Sequence, residues 1–214
     1  MAKKKRRRSK KGLQKQRLRM LCGLLVALVI LAAITSNTAI YERPQNNQIN
    51  TNSEKAKKVA WINELAPYAR ELQEKYGVLA SISIAQAILE SDWHTSTLST
   101  KYNNLYGIKA DAGQKSAVLP TQEYVNGEWI TIQGRFAAYD SWQESMKAHA
   151  KLLHDGTSWN AKQYQHVLDA DDYASAAKAL TQDGYATDPN YAKKLITIIQ
   201  TWHLERFDAT KSRH

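Results

Sequence analysis

Residues 117–139, "AVLPTQEYVNGEWITIQGRFAAY", interrupt a chain that otherwise reads as helix. The pattern here is β-like on both sides of Asn126-Gly127. That dipeptide is a strong signal for a two-residue hairpin, because a type I′ turn needs φ > 0 at both central positions. A two-residue turn fixes the register: Val125 opposite Glu128, Tyr124 opposite Trp129, Glu123 opposite Ile130. No other hairpin signal of this strength occurs. Around it the spacing is helical. Residues 54–77 place Val59, Ile62, Leu65, Ala69, Leu72 and Tyr76 at helical intervals before Gly77, and Pro67 is expected to kink or split that helix. Residues 81–91, "SISIAQAILES", form a second helix, with Ile84, Ala87, Ile88 and Ser91 near one face and Glu90 at its end. Residues 92–116 read mostly as loop. Helical patterns return at 141–154, 172–180 and 188–202, the last with Asp188 as N-cap and Pro189 at the first helical position. The fold class is therefore α+β, mainly α, with one small β-hairpin lobe.

Charge divides the chain before any motif does. Of 30 Lys and Arg, eleven fall within residues 1–19, which contain no acid. The remainder is close to neutral, so the net charge of +10 belongs to a tail, and a nucleic-acid partner is not expected for the folded part. Residues 20–41 carry no charge. As a helix they reach about 33 Å, enough for a hydrocarbon core of ~30 Å, although the strongly apolar part, Leu21–Ile34, also suits a signal sequence. The expected organisation is a basic cytoplasmic tail (1–19), a transmembrane helix or signal sequence (20–41), a flexible linker (42–53) and one folded domain (54–214), with the domain outside the cell membrane. Secretion to the wall after signal cleavage is the alternative. Cys22 is the single cysteine, which excludes an intrachain disulfide and a cysteine-based zinc site.

Two carboxylates, one ending a helix and one on a hairpin, suit glycoside hydrolysis. That chemistry needs one carboxyl group still protonated near neutral pH, and an apolar setting supplies it. Glu90 has Ile88, Leu89 and Trp93 close in sequence. The plain reading of Glu90 is an exposed helix-end glutamate, and of Glu123 a solvated strand residue. The aromatics Trp93, Tyr102, Tyr106, Tyr124, Trp129, Tyr139 and Tyr185 are either a stacking surface for sugar rings or core. The six histidines, His94, His149, His154, His166, His203 and His214, form no recognised metal spacing, and neither metal nor cofactor is expected.

Five stretches in order, "IAQAILESDWHTSTL" (84–98), "NNLYGIK" (103–109), "TQEYVNG" (121–127), "FAAYDS" (136–141) and "GYATDPNYAKKL" (184–195), resemble the endo-β-N-acetylglucosaminidases of bacterial cell walls, glycoside hydrolase family 73. The resemblance implies a lysozyme-like fold whose long helix ends at the catalytic glutamate, facing a β-lobe across a groove. It implies Glu90 as general acid, Glu123 as second carboxylate, and Tyr185 beside the acid. Substrate contacts are expected from Trp93, Asn104, Tyr106 and Tyr124. The implied partner is the peptidoglycan glycan strand, met by a monomer. A lytic transglycosylase or muramidase on a similar fold, and a non-catalytic glycan-binding scaffold, are the alternatives. Where the family often has glycine, this chain has Asp92 and His94. The turn must be made without glycine, and Asp92 is expected to raise the Glu90 pKa further.

Overall fold

A computed structural model describes the backbone of residues 44–125 and 128–210, with side chains from 50–121 and 130–210. The expected tail and membrane segment, 1–41, lie outside the described residues. Among the described residues no helix is long and apolar enough to cross a membrane.

The first helix, α1, runs Pro44–Tyr76. It therefore takes in most of 42–53, which the sequence reading assigned to a flexible linker. Pro44 opens it, a position where a missing N–H costs nothing. Pro67 lies inside the helix and does not end it. It sits on the exposed face, where the carbonyl left without its usual donor is open to water. The opposite face buries Ile62, Leu65, Ala66, Ala69, Leu72 and Tyr76.

Helix α2, Ala80–Ser91, is the centre of the molecule. The expected one-sided pattern is incomplete: every residue from Ala80 to Ile88 is buried, because α2 is enclosed on all sides. It packs against α1, α4 (Trp142–Asp155), α6 (Tyr173–Gln182), α7 (Tyr191–Trp202) and the 3₁₀ turn Leu204–Phe207. Its first turn is capped from far along the chain. The Asp208 carboxylate accepts from the Ser81 N–H and the Ser81 hydroxyl, both at 2.7 Å. Gln73 completes the clasp, accepting from the N–H groups of Ala80 and Ala209 and donating to the Ala209 carbonyl at 2.8 Å.

The segment expected to be loop contains a short helix, α3 (Thr97–Tyr102), capped by the Ser96 hydroxyl. A further short helix, α5 (Gln165–Asp169), precedes α6. Helix α7 starts later than expected, with Asn190 at the N-cap. Asp188 accepts instead from the Asn190 N–H and pairs with Lys194. Gly156 ends α4 at φ +74°, ψ −149°, a conformation essentially reserved for glycine.

The strands β1 (Ser116–Val125) and β2 (Glu128–Ala137) form a two-stranded antiparallel sheet in the expected register, Val125 opposite Glu128 and Glu123 opposite Ile130. Its base is held to the body by Asn104, whose side-chain amide donates to the carbonyls of Ile108 and Ala137 at 2.9 Å.

Candidate active site

Glu90 is the penultimate residue of α2, and its chain direction is set by an unusual turn. Asp92, Trp93 and His94 all have positive φ, at 50°, 58° and 62°. Three left-handed non-glycine residues in succession cost of order 1–2 kcal/mol each. Ser91 repays part of that. Its hydroxyl donates to the Ala87 carbonyl at 2.6 Å and accepts from the His94 N–H at 2.7 Å. The chain thus leaves the helix immediately beyond the carboxylate, and Glu90 stays at the rim of the core, half-buried.

The carboxyl group meets α7. The Tyr191 hydroxyl donates to Glu90 Oε1 at 2.7 Å, and the Gln86 amide, one turn earlier on α2, donates to the same phenolic oxygen at 2.9 Å. Loss of hydration pushes the Glu90 pKa up to about 8, against the smaller opposing effects of the Tyr191 hydrogen bond and the Lys194 ammonium. At pH 7 the group is therefore mostly protonated, as a general acid must be. Asp92 plays no part in this, contrary to expectation. It is exposed and accepts a hydrogen bond from Thr95 at 3.1 Å.

The hairpin gives Glu123, the expected second carboxylate, a defined position on the backbone. On β1, Ala117 and Thr121 are buried, and Glu123 lies two further along the same alternation. The cross-strand partners on that face change character along the sheet. Phe136, opposite Ala117, is 7% exposed, Ile132, opposite Thr121, is 36%, and Ile130, opposite Glu123, is 40%. That face of the lobe is packed at its base and open toward its tip. The side chains of Glu123 and Tyr124 lie outside the described residues.

The family model described as mannosyl-glycoprotein endo-beta-N-acetylglucosaminidase, the glucosaminidase model, matches residues 66–204. The chain belongs to the glucosaminidase family. Among similar proteins, exo-glucosaminidase LytG of Bacillus subtilis (strain 168) is 40% identical over 188 residues, covering 86% of this chain and 67% of LytG. Peptidoglycan hydrolase FlgJ of Salmonella typhimurium (strain LT2) is 36% identical over 146 residues, 65% of this chain and 45% of FlgJ, so the chain spans less than half of that relative. The crystal structure of the catalytic domain of the autolysin Auto from Listeria monocytogenes superposes with a TM-score of 0.66 at 34% identity, covering 80% of this chain and all of that one. The mainly helical body with a two-stranded lobe is thus the lysozyme-like fold of this family.

Within this glucosaminidase domain the other expected site residues separate into two groups. Tyr185 is buried, its ring 5.8 Å from that of Tyr191, and the Glu90 carboxylate adds to the burial that raises its pKa, so it does lie near the acid. Tyr106 and Asn104 are structural. Tyr106 is 1% exposed, stacks on His149 at 3.9 Å and donates its hydroxyl to the Ser83 carbonyl. Asn104 is equally buried, and its carbonyl oxygen accepts from the N–H groups of Tyr106 and Ile108 while its amide ties down the hairpin. Neither side chain is available to a glycan. Trp93 is half-buried in a cluster with Trp61, Trp202 and the Lys58 ammonium, 4.6 Å above its ring. Beside that cluster a cleft of about 490 Å³ is lined by Asn50, Thr51, Glu54, Lys55, Lys58, Thr201 and Trp202. Glu90, Gln86 and Tyr191 are not among its lining residues.

The candidate site holds one partner of Glu90 that the spacing did not single out, Tyr191. It lies in the same "GYATDPNYAKKL" stretch as Tyr185, six residues on. The start of a helix at Asn190 was the available signal, since the first turn of α7 abuts the end of α2.

Proposed function

We propose that this glucosaminidase hydrolyses the β-1,4 bond that follows N-acetylglucosamine in peptidoglycan, with Glu90 protonating the glycosidic oxygen as the bond breaks. One observation carries the reading: a carboxyl group at the end of a buried helix, held by Tyr191 and kept protonated near neutral pH by loss of hydration. Glu123 is the second carboxylate, activating water from the hairpin side of the cleft. The opening of the lobe's inner face toward Ile130 supports that placement.

The test is digestion of purified peptidoglycan followed by mass spectrometry of the fragments. New reducing ends on N-acetylglucosamine support the proposal. Reducing N-acetylmuramic acid identifies a muramidase, and anhydro ends a lytic transglycosylase. Glu90→Gln keeps the side-chain shape and removes the proton, so the rate falls by about 10²–10⁴-fold. For Glu123→Gln a rate within a few-fold of the parent replaces the base with the substrate's own 2-acetamido group.

For the location, we propose residues 1–19 in the cytoplasm, residues 20–41 across the membrane and the domain outside. The eleven basic residues on one side of the uncharged run support this orientation. The connection then includes the first ten residues of α1, about 15 Å of helix beginning at Pro44, in place of a wholly flexible linker. Fractionation with N-terminal sequencing of the mature protein tests it. A soluble form starting after about residue 35 overturns the tether and leaves the enzyme reading intact.

A further inference from the structure

Gln86 is fully buried, one helical turn before Glu90, and neither the fold nor the reaction as described so far requires an amide there. Its Nε2 donates to the Tyr191 oxygen at 2.9 Å, while its carbonyl oxygen has no partner among the described residues. The side chain is thus held by a single directional contact.

We infer that Gln86 sets the direction of the Tyr191 hydroxyl and thereby decides that the catalytic proton of Glu90 sits on Oε2. A phenol has one hydrogen. With an amide N–H aimed at its oxygen, that hydrogen points the other way, along the 2.7 Å contact to Glu90 Oε1. Oε1 is then an acceptor, and the protonated acid carries its hydrogen on Oε2, which has no partner among the described residues. The hydrogen bonds run in one sense, from Gln86 to Tyr191 to Glu90. If the amide carbonyl faced Tyr191, the phenolic hydrogen would turn toward residue 86. The acid would then donate its own proton from Oε1 to the phenol, and that proton would point into the protein, away from the glycan. Gln86 is a positioning residue, acting through Tyr191.

The inference rests on Glu90 being the general acid, so its test includes Glu90→Gln as a separate arm. Gln86→Glu has nearly the same shape, but its carboxyl group, buried as Gln86 is, stays protonated and can turn either a donor or an acceptor toward Tyr191, so it loosens the sense without fixing it. Gln86→Met removes the donor without supplying an acceptor. The full chain carrying each change is assayed on peptidoglycan, alone and combined with Tyr191→Phe, with thermal transitions recorded to confirm folding. Expected is a fall in kcat of about tenfold for Gln86→Met, the worth of one buried hydrogen bond, a smaller fall for Gln86→Glu, and KM within twofold. In the Tyr191→Phe background neither change reduces kcat further. The basic limb of the kcat profile moves upward in Gln86→Met, because Tyr191 without its donor partner stabilises the ionised acid less. The charged and titratable groups facing Glu90 are Tyr191 and Lys194 from α7 and Tyr185 from the preceding loop, and all are untouched by these changes. Unaltered kcat in folded Gln86 variants, or the same loss with and without the Tyr191 hydroxyl, overturns the inference. Retained activity in Glu90→Gln instead overturns the assignment of the acid. If Gln86→Met does not fold, Gln86→Leu, which also lacks the donor, takes its place.

Discussion

Two dehydrated groups in this domain, one fully buried and one at the rim of the core, pull its stability in opposite directions with pH, and each conceals the other. His149 is fully buried against Tyr106, and neither ring nitrogen has a hydrogen-bond partner among the described residues. Burial lowers its pKa from 6.5 to about 3. A group depressed in the folded state contributes stability above its unfolded pKa and loses it on acidification, here between pH 6.5 and about 3. Glu90 is the reverse case. Its pKa rises from 4.5 to about 8, so its contribution is complete below pH 4.5 and is lost as the pH climbs to about 8. Each slope is about 1.4 kcal/mol per pH unit inside its window. Between pH 4.5 and 6.5 the two windows overlap and the slopes offset. Denaturant unfolding of the parent, His149→Phe and Glu90→Gln at half-unit pH steps separates them. The readout is the variant-minus-parent difference, in which every other titrating group drops out and a constant packing penalty is only an offset. For His149→Phe the difference moves in favour of the variant as pH falls from 6.5, by about 3 kcal/mol over two units. For Glu90→Gln it moves in favour of the variant as pH rises above 4.5, by a similar amount over two units. Differences that stay flat across these windows refute the burial of the uncharged forms on which the argument depends.

Gly156→Ala should lose about 1–3 kcal/mol from backbone conformation alone, and more from contact, because a Cβ there lies 2.4 Å from the Asn160 carbonyl oxygen; urea titration measures it. Asp208→Ala should cost about 2 kcal/mol, since it strips the cap from α2, while folded protein keeps its kcat. Asp92→Gly should stabilise the domain by up to about 1 kcal/mol, because glycine takes φ 50° without a Cβ penalty, and a lowered Tm contradicts this.

The hairpin and its register were legible in the sequence because Asn126-Gly127 admits few turns and a slip of one residue would turn every side chain over. Glu90 was legible as a carboxylate closing an apolar helix. Its partner was not. Tyr185 and Tyr191 are separated by a stretch, 186–190, without periodicity, so nothing local says which hydroxyl meets the acid. Tyr106 and Asn104 were read as substrate contacts because aromatic and amide groups serve glycans and cores alike. Burial decides between those uses, and it is a property of the packed molecule. The 42–53 stretch reads as linker on composition, yet the helix begins at Pro44, since polar residues lengthen a helix readily once its later turns are packed.

The clasp between Asp208 and the start of α2 also bears on when the enzyme comes into being. The helix that ends in the acid receives its first-turn partners from a residue 127 positions later. A chain emerging from the ribosome can form α1 and the hairpin from residues already made. It cannot complete the frame of Glu90 until Asp208 has been made and has reached the same side of the membrane. Contacts of such wide sequence separation close late. A hydrolase built this way stays unassembled through most of its own synthesis, and a product truncated before residue 208 would carry every candidate catalytic group without the clasp that closes their frame.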